Sequence, residues 1–196
     1  PAIIILPEDS LFINHSVVDL SMPGVGATQM KLNIVNDSST VAWQNYSPHL
    51  SDFELGNGDG LKHIYAWFKH DFFSSIPTSD SVWLDTYCEV DTFFWTSNSG
   101  DTLYPGDELS IHLQMKNDSC GPETGGMAEV NLGNILVDYI LFENNNGHYS
   151  RNYMIQSNNG ISQGLMFLLF SDRLGNIMNS CAIDRLTIFR VRPSQI

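Results

Sequence analysis

Basic residues are scarce. Nine Lys and Arg stand against 22 Asp and Glu in 196 residues, a formal charge of −13. That balance makes the chain a poor electrostatic partner for nucleic acid or for an anionic membrane. Charged residues total only 16% against 42% hydrophobic, the reverse of a disordered chain. Cysteine is nearly missing: Cys88, Cys120 and Cys181 share no C-x-x-C spacing, which argues against a zinc ribbon or a thioredoxin-type site. At most one disulfide can form, and buried free thiols are the expectation. Long apolar runs are absent, the longest being residues 3–6 and 165–170, where a membrane-spanning helix needs about 20. No membrane insertion is therefore expected. The chain opens at Pro1 without an initiator Met or a basic leader, as a processed chain or a piece of a longer one would.

Helical signals are missing as well. Alanine occurs six times, and no window of a dozen residues carries an amphipathic stripe of period 3.6. The dominant period is two. Met30, Leu32 and Ile34 alternate with Lys31 and Asn33, and Leu109, Ile111, Leu113 and Met115 alternate with Ser110, His112, Gln114 and Lys116. Both read as half-buried strands. Residues 135–142 and 165–170 are apolar on both faces, apart from Asp138, and predict strands covered on two sides. Further strands are expected in 2–6, 11–18, 62–69, 82–96, 152–156 and 183–191. Turn chemistry lies between them, as in Gly56-Asn57-Gly58-Asp59-Gly60, Pro105-Gly106-Asp107 and Asn145-Asn146-Gly147. About ten short strands without a linker or an internal repeat predict one all-β domain over residues 1–196, an antiparallel β-sandwich or jelly roll.

The segment with most chemical content is 82–96. As one strand, its even positions (Val82, Leu84, Thr86, Cys88, Val90, Thr92, Phe94) form a core face. Its odd positions are Trp83, Asp85, Tyr87, Glu89, Asp91, Phe93 and Trp95. A core face would not hold three unpaired acids, and a solvated face would not ordinarily carry four large rings. Rings alternating with carboxylates suit a sugar: pyranose C–H faces stack on rings and hydroxyls donate to carboxylates. Against this, fifteen residues is long for a strand, and a break would return some rings to the core. Trp43, Tyr46 and Trp67 are further ring candidates.

Glu89-Val90-Asp91 partly resembles the E-x-D-x-x-E signature of jelly-roll glycoside hydrolases of the laminarinase type, which implies a nucleophile and an acid on one strand face. The third acidic position holds Phe94, so the acid partner is missing. Gly160-Ile161-Ser162-Gln163-Gly164 has the G-x-S-x-G form of a nucleophile elbow. A strand-like stretch follows it and no histidine lies downstream, so a glycine-flanked hairpin is expected there. Asp52, Glu54, Asn57 and Asp59 place four oxygen-bearing side chains in a glycine-rich segment, the one candidate calcium site, although the spacing is not an EF-hand's. The six histidines form no H-x-H or i, i+4 pair.

Two dozen-residue stretches carry resemblances. Residues 102–111, with Tyr104-Pro105-Gly106-Asp107 at their centre, look like the turn-and-strand of extracellular sandwich modules that include carbohydrate-binding modules. Residues 132–143, beginning Leu132-Gly133-Asn134-Ile135, are similar to a late strand of jelly-roll coat proteins of small icosahedral viruses. The sequence therefore predicts a non-catalytic recognition domain, extracellular or on a virion surface. Its partner would be a glycan or a protein receptor, with no nucleic acid and no required cofactor. A virion or assembly protein forming a homo-oligomer is the alternative, and a jelly-roll glycoside hydrolase the second alternative.

Overall fold

The computed structural model describes residues 2–7, 11–23, 26–118, 121–122, 124–182 and 184–191. Within them the chain is all-β, without helix and with antiparallel sheets consistent with a β-sandwich. The strands gather into two compact units, residues 1–86 and 87–196, each with its own buried cluster.

The first unit contains β1 (Ile4–Leu6), β2 (Phe12–Ile13), β3 (Val17–Ser21), β4 (Gln29–Asn33), β5 (Gln44–Asn45), β6 (His49–Glu54), β7 (Gly60–His70), β8 (Phe73–Ser74) and β9 (Thr78–Leu84). One sheet has the order β1-β3-β6, and the other β2-β9-β7-β4-β5, with β8 on β7. Period two decides which side chains enter the core. Met30 and Leu32 of β4, Ile64, Ala66 and Phe68 of β7, and Val82 and Leu84 of β9 are buried, packed with Leu20, Met22 and Leu55.

The second unit contains β10 (Val90–Ser97), β11 (Thr102–Leu103), β12 (Glu108–Met115), β13 (Asn117–Asp118), β14 (Gly121–Pro122), β15 (Met127–Leu132), β16 (Leu136–Asn145), β17 (His148–Met154), β18 (Ile161–Gly164), β19 (Phe167–Ser171), β20 (Ile177–Cys181) and β21 (Leu186–Ile188). Its main sheet runs β10-β12-β17-β16-β15-β19-β20 and nearly closes into a barrel. Six antiparallel pairings separate the two edges, so β10 and β20 run parallel to each other. Among the described residues no ladder joins them. Two side-chain bonds tie the seam: the Cys88 thiol to the Asn176 carbonyl at 3.5 Å, and Trp95 Nε1–H to the Asp184 carbonyl at 3.2 Å.

The Tyr104–Asp107 turn forms as the sequence predicts. The Asp107 carboxylate accepts from the Tyr104 amide, and Gly106 takes a φ of 90°, which a side chain would oppose. The chain then enters β12, where Leu109, Ile111, Leu113 and Met115 are all buried.

Two expectations need correction. Residues 135–142 and 165–170 were to be covered on both faces. Both stretches do lie inside the ladder order, yet in 165–170 only every second side chain is buried (Met166, Leu168 and Phe170), and in 135–142 only Leu136 and Leu141 are. Val137, Ile140, Phe142, Phe167 and Leu169 are exposed, because among the described residues nothing packs over that outer face. The apolar runs signalled a sticky surface as well as a core.

Candidate functional site

The single strand over 82–96 does not exist. β9 ends at Leu84, residues 85–89 lie outside any strand, and β10 begins at Val90 with a register shift between Val90 and Thr92. A one-residue slip reverses the faces. In β9 the odd residue Trp83 faces outward, half-buried, while Val82 and Leu84 enter the core. In β10 the odd residues Phe93 and Trp95 enter the core, opposite Leu113 and Ile111, and Phe94 faces outward. Phe93 and Trp95 are thus corrected from ligand-facing to core rings, at 6% and 8% exposure. Asp85 is buried too, its amide donating to the Ile13 carbonyl. Trp83 and Asp85 belong to the first unit; Tyr87, Glu89, Asp91, Phe93 and Trp95 belong to the second.

What the split leaves in the first unit is an aromatic sheet face. β7 points His63, Tyr65 and Trp67 to one side while Ile64, Ala66 and Phe68 fill the core. The ring centroids of His63 and Tyr65 lie 6.1 Å apart, and those of Tyr65 and Trp67 6.4 Å apart. On the flanking strands, Trp83 pairs with Leu61 and stacks on Phe12 at 6.3 Å. At the far end Lys31 lies opposite Trp67, and Lys31 and Lys69 place their ammonium groups 5.0 and 5.6 Å from the Trp43 ring. Trp67 itself is 7% exposed, so Phe12, Trp83, His63, Tyr65 and Trp43 are the accessible rings. Ser79 and Ser81 pair with Tyr65 and His63, and Asn33 pairs with Tyr65 from the other side, adding polar groups between the rings. The signal for this row lies in the odd positions of 61–69, less conspicuous than the alternation of rings and acids in 82–96. Tyr46 is not part of it: its hydroxyl donates to the Met22 carbonyl and its ring packs on Phe68.

The second unit keeps the acids. Glu89, Asp91, Thr92, Phe93 and Phe94 line one wall of a cleft of about 360 Å³ along the β10–β20 seam, and Met178, Ser180 and Cys181 line the other. Glu89 is paired with Lys116 at 2.8 Å. The hydrogen bond that Lys116 donates to the Glu89 carboxylate, helped by the charges of Glu89, Tyr87 and Asp91, holds its ammonium above its ordinary pKa. Beside Phe94, the His112 ring stacks at 5.0 Å with His148 next in line at 6.0 Å. Burial, and then the neighbouring His148, hold His112 below its ordinary pKa.

The calcium candidates do not converge. Asp52 and Glu54 lie on β6, and the Asp59 carboxylate is taken by the Thr86 amide and hydroxyl at 3.0 and 2.8 Å. The Asn57 carbonyl accepts from Lys62. Among the described residues no three His, Cys, Asp or Glu side chains gather into a metal-binding group. The G-x-S-x-G stretch forms strand β18 against β21, with no helix after it, so Ser162 sits on no nucleophile elbow. Cys88 is a buried thiol outside any disulfide, as expected, whereas the Cys181 thiol is exposed. Cys120 lies outside the described residues.

No family model matches the chain, and no curated protein does. Among solved structures, similar ones are the Escherichia coli adhesin FdeC (TM-score 0.42, 13% identity, 98% of this chain and 64% of that one) and the Yersinia pseudotuberculosis adhesin InvE (0.32, 14%, 94% and 58%). Another is SGBP-B of a Bacteroides ovatus mixed-linkage glucan utilisation locus, solved with a mixed-linkage heptasaccharide (0.22, 13%, 96% and 48%). This chain spans less than two thirds of the length of each, and at these scores the likeness is too loose to assign a role.

Proposed function

We propose that the chain is a non-catalytic recognition domain, displayed outside the cell or on a virion, that binds a glycan across the outer sheet face of residues 1–86. The observation that carries this is the row of accessible rings Phe12, Trp83, His63 and Tyr65 on one rigid sheet, with Ser79, Ser81 and Asn33 between them. The stacked pair Phe12–Trp83 at 6.3 Å and the tilted pair His63–Tyr65 at 6.1 Å offer successive apolar platforms to the C–H faces of an extended oligosaccharide. Hydroxyls and amides beside them orient it. Binding rather than hydrolysis is favoured because Glu89 is held by Lys116 and the third acidic position is the exposed ring Phe94. A glycan array probed with the full chain and with Trp83→Ala tests this. Bright spots lost in the variant support the face, and a blank array with the intact chain removes the glycan.

A second reading, assembly with other subunits, is favoured by the outer face of the second unit. Phe142, Ile140, Leu169 and Ile177 are exposed there around a shallow hollow of about 220 Å³ lined by Met127, Glu129, Leu169, Ser171 and Ile177. Oligomers bury such faces. Sizing by light scattering separates a monomeric binder from an assembling subunit.

A further inference from the structure

The β7–β8 hairpin and the residues that follow it carry the most exposed large apolar side chains among the described residues. Phe72 is 96%, Phe73 82% and Ile76 87% exposed. The tip is not loose. β8 pairs with the end of β7 (Lys69 with Ser74, His70 with Phe73), Ser75 donates its amide to the Phe68 carbonyl, and its hydroxyl accepts from the Phe68 amide. Asp71 turns the chain at a φ of 51° and pairs with His70 at 3.4 Å. A built hairpin thus holds two rings and an isoleucine out into water.

Such groups are stabilised only by removing them from water, and their shape selects the partner. At 82–96% exposure they stand clear of the chain, so a flat protein surface would leave much of their area wet. A fluid bilayer needs no preformed pocket. Lys69 pairs with Ser74 of β8, and its ammonium lies 5.6 Å from the Trp43 ring, with that of Lys31, which also donates to the Ser38 carbonyl, at 5.0 Å from the same ring. These lysines are two of only three basic Lys or Arg side chains in residues 1–86. A ring and lysines next to an apolar tip match the depth profile of a headgroup region: rings at the boundary, ammonium groups at the lipid phosphates. We infer that the 71–76 hairpin tip inserts shallowly into the interface of a zwitterionic bilayer, with Phe72, Phe73 and Ile76 at the acyl boundary and Lys31 and Lys69 at the phosphates. Asp71, in the turn beside Phe72 and paired with His70, keeps a charge at the apex and so holds the insertion shallow. The −13 net charge sets the lipid preference, since an anionic surface repels the chain as a whole. Such anchoring refines the expectation of no membrane insertion, and it does not rest on glycan binding.

The test is co-sedimentation of the full chain with sucrose-loaded phosphatidylcholine vesicles, and with vesicles in which a fifth of the lipid is replaced by phosphatidylserine. Partition onto phosphatidylcholine is expected, no stronger with phosphatidylserine, and reduced about tenfold or more for Phe72→Ser with Phe73→Ser. Because those rings are exposed, circular dichroism and thermal midpoint should be unchanged, and Ile76→Ser provides a second, independent loss. No partition of the intact chain overturns the proposal. Partition that survives all three substitutions in a folded variant overturns it equally.

Discussion

The ring of Phe12 lies 6.3 Å from that of Trp83 and 22° from parallel, on neighbouring strands whose parallel register puts the two residues side by side. Trp83 is half-buried between Phe12 on β2 and Leu61 on β7, and the rest of its ring is open to solvent. That distinguishes Trp83 from Trp95, the ring that looked equivalent in sequence.

The two tryptophans should therefore separate on mutation. Trp83→Ala should leave the fold intact and weaken glycan binding by about 1–3 kcal/mol. Trp95→Ala empties a core position beside Ile111 and leaves the Asp184 carbonyl without its donor, so it should cost about 3–5 kcal/mol of stability. Urea melts of both variants beside binding titrations check this. Equal loss of stability in both would show that the two rings are core alike.

Gly126 is a packing constraint. A Cβ added there would sit 2.7 Å from the Ser171 carbonyl and closer still to the Phe170 ring, while its amide donates to the Tyr149 hydroxyl. Backbone cannot yield as a flexible side chain can, so Gly126→Ala should destabilise by about 1–3 kcal/mol. Gly58→Ala, with open space around it but a φ of 73°, should lose less, through backbone strain alone.

Acid should act through His112. Its pKa is lowered in the folded chain by burial and by His148, so the unfolded chain binds the proton more readily. The stability contributed by neutral His112 is fully present above the unfolded value of 6.5 and is lost as pH falls through the lower folded value. Thermal midpoints measured from pH 7.5 downward should therefore drop less steeply in His112→Gln than in the unchanged chain. Parallel slopes would remove His112 as the cause.

The thiols should react unequally. Cys181, exposed on the wall of the seam cleft, should be alkylated by iodoacetamide in the native chain, and buried Cys88 only after denaturation. Peptide mass mapping reads both sites directly.

The fold was legible because period two is a local property: each residue of 109–115 states its own face, and β12 buries every second one. Turn chemistry was equally local at Tyr104–Asp107. The site was less legible because it depends on where a long run breaks. Nothing in 82–96 marks residues 85–89 as the break, and the slip there sends Phe93 and Trp95 inward while leaving Trp83 out. The aromatic face needed pairing across strands: Phe12 meets Trp83 only through the β2–β9 register, and Trp43 meets Lys31 and Lys69 only through tertiary packing. Exposure of residues such as Phe142 and Leu169 was equally hidden, since apolar composition does not say whether a second layer arrives.

The central claim is that ligand meets the outer face of residues 1–86, and chemical-shift mapping with a bound oligosaccharide taken from the array tests it most directly. The account predicts perturbations concentrated at Phe12, His63, Tyr65 and Trp83, with the Glu89–Phe94 cleft and the buried Trp95 little changed. Perturbations confined to the β10–β20 cleft, with the Tyr65 and Trp83 signals unmoved, would contradict it.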